Sequence, residues 1–256
     1  LHNAPIDRWM RGNATKGMQI GFDPMLINGE LHNRMSRALT ELGAVLTPVA
    51  DDIFDPIWKD RPLKPLGAVR AMPVSVAGET SNSKKQRVAA SITQSGADII
   101  VETLPDNIAW LLNVRGSDVP MNPVPHSFLT LSSDGTAEWF VDPRKLGNDL
   151  STFELDNVQL SSPDTFIDRL GELASGKTFM IDPQFSPVAV RLAVEAAGGK
   201  TVSKTSPITI LKASKNAVEL EGYRRCHVED GVAVTNFLAW VLKEGREREG
   251  TANPLT

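Results

Sequence analysis

A chain of 256 residues, 41% hydrophobic and 23% charged, has the composition of a globular protein of one large domain or two ordinary ones. No apolar run approaches the roughly 18 residues of a membrane span, and a net charge of -4 excludes the basic balance of a nucleic-acid surface. The single cysteine, Cys226, excludes an internal disulfide and a multi-thiolate metal site, and it points to a reducing compartment, the cytoplasm.

The opening "LHNAPIDRWM" has no initiator Met and neither a signal nor a transit pattern, so the sequence is expected to begin inside a longer chain. "IGFDP" (20–24) reads as a strand ending in an Asp-Pro turn, followed by a helix over 31–42, Gly43 and the strand "AVLTPV". Residues 60–73 are proline-rich without periodicity and form the best linker candidate. "SKKQR" (83–87) is the one basic cluster and reads as the solvated first turns of a helix over 83–95 that stops at Gly96. The apolar strand 97–103 follows, then a short helix opened by Pro105. Apolar runs flanking Asp134-Gly135 predict a hairpin. Ser162-Pro163-Asp164 supplies an N-cap, a first-position proline and an early acid ahead of Phe166, Leu170 and Leu173 on one helical face.

"FMIDP" (179–183), a helix over 187–197, Gly198-Gly199 and the strand beginning "KTVS" repeat the layout of the first segment. Two α/β units of similar topology are expected, with mixed sheets flanked by helices. A further boundary falls near 207–214, and a long helix starts at Asn216, which makes a capping-box pattern with Glu219.

That helix carries "RRCHVEDGVA" (224–233), a histidine, a thiol and two carboxylates within a short span. Leu220, Tyr223, His227, Val234, Leu238 and Val241 share one stripe, so His227 is expected on a buried face as a packing residue. Cys226 is read as a small hydrophobe rather than a nucleophile, and Gly231 as a point of close approach to a neighbour. Glu221, Arg225 and Glu229 are ordinary surface pairs. His2, His32 and His126 lie in unrelated contexts with no two at metal-ligand spacing. Asp23, Asp142 and Asp182 each close a strand before a proline, a position that suits either metal binding or the capping of free amides; capping is favoured. In the loop "NVRGSDVPMNPVP" (113–125), Arg115 either pairs with Asp118 to hold the loop or meets a peptide carboxylate or another domain. No phosphate-binding glycine loop and no G-x-S-x-G elbow is present.

Taken together, "IWKDRP", "LPDNIAWLLNVRGSDVPMNPV" and "SPITILKASKNAVELEGYRRCHVEDGVAVTNFLAWV" resemble the long, three-domain Xaa-Pro aminopeptidases of the creatinase/prolidase superfamily, with the likeness running from Arg8 to Lys243. The resemblance implies creatinase-N-terminal-like α/β domains of ribonuclease H-like motif. Residues 1–70 would be the later part of a first such domain and 74–208 a second. Residues 212–256 would begin a pita-bread catalytic domain with its first helix. It further implies removal of the N-terminal residue from peptides with proline second, by two divalent ions, usually manganese, in a dimeric cytoplasmic enzyme. The family's metal ligands are two Asp, one His and two Glu, all in the later catalytic domain; its substrate histidine shortly precedes the first of them. None maps onto this sequence, nor does an Arg from early in the first domain. The expectation is therefore no catalytic, no metal and no substrate-binding residue in this chain, His227 included, and no bound metal. Inactivity of the chain alone is expected with it, as are proline-containing peptides as the parent's partners and no nucleic-acid or membrane partner. Two rival readings are a catalytically inactive creatinase-like module that binds peptides or proteins, and a self-contained hydrolase using His227.

Overall fold

The computed structural model describes residues 5–49 and 57–248. The first lobe is α1 (Ile6–Asn13), β1 (Gln19–Phe22), α2 (Gly29–Thr40) and β2 (Val45–Pro48), with β1 and β2 parallel. Asn28 caps α2 by accepting the Leu31 N–H at 2.8 Å, which starts the helix two residues before the sequence pattern suggested. Gly43, at φ 69°, turns the chain into β2. Met10, Met35, Leu39 and Ala44 form this lobe's own core.

The chain between the lobes is exposed over 57–66 and then pairs β3 (Arg70–Ala71) with a later strand before the single turn α3 (Val74–Ala77). The second lobe starts with α4 (Ser81–Gln94), capped by Thr80, then β4 (Ile99–Glu102), α5 (Pro105–Leu111) and β5 (Val114–Arg115), the antiparallel partner of β3. Next come β6 (Phe128–Ser132) and β7 (Ala137–Phe140), the expected antiparallel hairpin, in which Gly135 takes φ 89°. β8 (Val158–Ser161), α6 (Phe166–Leu173), β9 (Thr178–Ile181), α7 (Val188–Ala196), β10 (Lys200–Ser203) and α8 (Pro207–Ala213) complete it. The sheet runs β10-β9-β4-β6-β7-β8, with β10, β9 and β4 parallel and β6 antiparallel to β4.

Strand alternation divides the core into two layers. Ile100, Leu129, Trp139 and Met180 face Val88, Ile92, Ile108 and Ile208 of α4, α5 and α8. Ile99, Val101, Phe140 and Phe179 face Phe166, Leu170, Val190 and Val194 of α6 and α7, where Phe166 stacks on Phe128 at 4.3 Å.

One expectation fails here. Lys84 and Lys85, read as solvated, are buried, because the first turns of α4 lie under other chain rather than under water. Lys84 Nζ donates to Trp110 O (2.9 Å) and Asn113 Oδ1 (2.7 Å) and sits 4.4 Å from the Trp110 ring centroid. Lys85 Nζ donates to Asp156 O. An ammonium so enclosed is tolerated because its protons are taken by oxygens, while the aliphatic stem packs as a hydrophobe.

The contacts divide the chain into two compact units. One holds both lobes; the other comprises Pro73–Gly78 and the residues from Ser214 onward, including α9 (Ala217–Glu247). Within this second unit the predicted capping box is formed: Asn216 Oδ1 accepts from Glu219 N, and Glu219 Oε2 from Asn216 N, both at 2.9 Å. Asn216 Nδ2 also donates to Ala77 O at 2.8 Å.

Candidate functional site

Ligands of open α/β sheets gather at the carboxyl ends of parallel strands, so the ends of β4 and β9 are the first place to look. Glu102 closes β4 and is 2% exposed. Its Oε1 accepts from the N–H groups of Thr103 (3.0 Å) and Leu104 (2.9 Å), and its Oε2 from Asn107 Nδ2 (2.9 Å) and Ser206 Oγ (2.7 Å). Burial pushes this carboxyl above its ordinary value, while the four donors pull it back. Asp182, just beyond β9, accepts from Gln184 N (3.0 Å) and Ser206 N (2.9 Å). Ser206 thus ties the two strand ends together and also accepts from Ile208 N at the start of α8. The strand-end position is filled by internal hydrogen bonds that join β4, β9, α5 and α8.

Asp23 and Asp142 behave as Asp182 does. Asp23 Oδ1 accepts from Met25 N at 2.8 Å, and Asp142 accepts from Arg144 N and from the Arg144 guanidinium. The guanidinium beside it lowers the Asp142 carboxyl to about 2. All three residues cap their turns, as the sequence favoured. Among the described residues no three His, Cys, Asp or Glu side chains converge to hold a metal ion. Asp23, Asp142 and Asp182 each already accept from their own turn and stand apart from one another, so these three do not fit a dinuclear metal centre.

The loop 113–125 is organised by Asp118, but its partner is Lys145 rather than Arg115. Asp118 Oδ2 accepts from Lys145 Nζ (2.6 Å) and His126 N (2.7 Å), and Oδ1 from Gly67 N (2.9 Å). Burial pushes this carboxyl up, yet Lys145 and the two amides together outweigh it and hold the group below its usual range. Arg115 donates instead to the carbonyls of Val114 (2.7 Å) and Ala109 (3.3 Å), because β5 turns its side chain toward α5. Gly67 is required where the linker meets this loop, since a Cβ there would lie 2.6 Å from the Ser117 carbonyl carbon.

α9 departs from expectation in its surroundings. It contains no buried residue, and His227, expected on a buried face, is exposed. Its Nδ1 lies 2.8 Å from Tyr223 O, and its ring stacks on Tyr223 at 5.8 Å. Cys226 is a free, exposed thiol rather than a packed hydrophobe, and nothing lies within 4 Å of a Cβ built on Gly231. The apolar residues recur at helical spacing, but among the described residues of its own compact unit α3 is the one other element, and no residue of the stripe is buried. His126 contributes its backbone to the Asp118 cluster, His32 lies in the first lobe, and His2 lies outside the described residues.

Sequence reasoning missed Glu102, Lys84 and Lys145. The available signal was an ionisable residue inside or beside an apolar run, as in "DIIVETL". A polar groove of about 460 Å³ also opens on the sheet beside Thr130, Glu138 and Gln159. Its carboxylate, Glu138, is engaged by Arg169 Nε (2.9 Å) and Ser161 Oγ (2.6 Å).

These features define a mixed α/β protein built on an internal repeat, whose buried ionisable groups are spent on joining its elements. The Creatinase/Prolidase N-terminal domain family matches residues 60–219, and the chain belongs to that family. It is 33% identical over 257 residues to a probable Xaa-Pro aminopeptidase P of Coccidioides posadasii, covering 95% of this chain and 41% of that protein. It is 28% identical to Aminopeptidase P1 of Arabidopsis thaliana, covering 96% and 42%. Among solved structures, the X-prolyl aminopeptidase of Caenorhabditis elegans, described as a cytosolic enzyme with a di-nuclear active site, superposes with a TM-score of 0.86 at 26% identity. The match covers 98% of this chain and 41% of that one. The chain thus spans about two fifths of the length of the relatives it matches. No described helix is long and apolar enough to cross a membrane.

Proposed function

We propose that this chain is the non-catalytic α/β frame of an Xaa-Pro aminopeptidase, a hydrolase that releases the N-terminal residue of peptides with proline in second position. The observation that carries the reading is the likeness to aminopeptidases P along nearly the whole chain, in both sequence and backbone. Peptide-bond chemistry is assigned to residues other than those of this chain. Two divalent ions, manganese by preference, would supply an activated water there when bound. The frame's part is rigidity: the Glu102–Ser206–Asp182 hub fixes α8, the element that leads into α9. The same reading places the parent protein in the cytoplasm as a homodimer acting on proline-containing peptides, with neither nucleic acid nor membrane as partner.

The test is hydrolysis by the whole gene product that carries this sequence, assayed with manganese on paired peptides bearing proline or alanine in second position. Cleavage of the proline peptide alone is expected. Indifference to proline, or no cleavage of either peptide by the folded, metal-loaded protein, overturns the assignment.

A further inference from the structure

The two lobes meet across a seam with the geometry of a two-fold axis. Position by position from Asp23 and from Asp182, Pro24 matches Pro183, Asn28 matches Pro187, Glu30 matches Ala189 and His32 matches Arg191. Glu30 N donates to Pro183 O and Ala189 N donates to Pro24 O, each at 3.0 Å, so the same bond is made in both directions. Asn28 and Pro187 form an antiparallel bridge on the axis between them. The charge of Arg191 acts on His32, the residue at its own equivalent position. A contact made reciprocally between equivalent pairs of residues is what an isologous dimer interface produces; here it lies within one chain.

The seam is also polar. Val188 N donates to Ile27 O at 2.8 Å and Asn28 Nδ2 to Gln184 O at 2.7 Å, while the apolar core of the first lobe is separate from both core layers of the second. Each lobe therefore has a core of its own, and the lobes meet through hydrogen bonds, of which the Glu30–Pro183 and Ala189–Pro24 pair is reciprocal. Residues 57–66 of the connection are exposed throughout.

We propose that the Asp-Pro-turn face of the second lobe is an exchangeable docking surface, which accepts the first lobe of a second copy of this chain as well as its own. The contacts are the same in either case, so the balance is set by the effective concentration that tethering the two lobes in one chain imposes, on the order of millimolar for tethered modules. Exchanged dimers are then a small fraction at 10 μM and a substantial one at several hundred μM. This inference does not depend on the peptidase reading.

The test uses disulfide trapping in a Cys226→Ser background. Antiparallel bridge partners have Cα atoms roughly 4.5–5.5 Å apart, within disulfide range, so Asn28→Cys and Pro187→Cys form the first pair. Gly29→Cys with Pro183→Cys is the second; it leaves the Asn28 cap intact, and a Cβ on Gly29 lies 3.1 Å from Pro183 Cβ. Each pair is placed once in a single chain and once split between two chains mixed under oxidised glutathione, which accepts the electrons of the two thiols. The expected result is internal closure of the double variants. The mixed single variants should give a dimer linked 28–187 or 29–183, rising at least several-fold between 10 and 500 μM. Failure of both double variants to close overturns the seam; closure without a linked dimer in either mixture at 500 μM overturns exchange.

Discussion

Replacing Asp118 by alanine tests the buried clamp between the linker and the loop 113–125. The substitution removes the ion-pair partner of Lys145, whose side chain is 5% exposed, and leaves the N–H groups of Gly67 and His126 without their acceptor. Breaking a buried pair from one side costs about 3–5 kcal/mol, mostly because the remaining charge is stranded. With a urea m-value of about 2–3 kcal/mol/M for a protein of this size, the unfolding midpoint should fall by roughly 1–2 M. Adding Lys145→Met should recover part of the loss, since removal of both charges leaves no stranded ammonium. The sign with pH follows from the lowered carboxyl. The unfolded group titrates near 3.9, so the stabilisation is complete above that value and fades as pH falls through the lower folded one. A loss under about 1 kcal/mol for Asp118→Ala, the range of an exposed pair, refutes the clamp, as does a double variant no more stable than the single one.

Substitutions at three further positions probe other joints. Glu102→Ala strands four donors at the ends of β4 and β9; it should cost about 3–5 kcal/mol and lower the melting temperature by roughly 10 °C, with Glu102→Gln less severe. His32 is held below its ordinary value by partial burial, and the charge of Arg191 acts in the same direction against a raising hydrogen bond to Asn33. The folded chain therefore favours the neutral ring, and its contribution to stability is complete above about 6.5 and lost as pH falls through the lower folded value. His32→Gln should flatten the dependence of the urea midpoint between pH 7.5 and 5.5; an unchanged slope refutes this. Gly78→Ala forces a side chain onto φ 72° with a Cβ 2.3 Å from Asn216 Oδ1. The capping box should open at a cost of about 1–2 kcal/mol, read as faster hydrogen exchange of the Glu219 amide.

The elements legible in the sequence were those fixed by local chemistry. The hairpin at Gly135, the Ser162 turn, the Asn216 capping box and both Asp-Pro turns each have their determinant within a few residues. The repeated layout was legible for the same reason, although the axis relating its two copies was not, because backbone bonds between Pro24 and Ala189 leave no trace in side-chain type. The partners of buried charges were equally hidden. Lys84 and Lys85 have the sequence context of a solvated helix start, and their burial depends on Trp110, Asn113 and Asp156, far along the chain. Asp118 lies nearer in sequence to Arg115 than to Lys145, yet the direction of β5 decides the pairing. For His227 the expected burial is not found, since periodicity specifies a face but not what covers it.

The central claim is that these residues form a frame and that the peptidase centre is built elsewhere. The direct measurement is peptide hydrolysis by the purified 256-residue chain, folded by circular dichroism, on a peptide with proline second and with added manganese. The account predicts release of the first residue no faster than in buffer with manganese alone. Turnover that scales with protein concentration and is abolished by His227→Ala in a still-folded chain would contradict it.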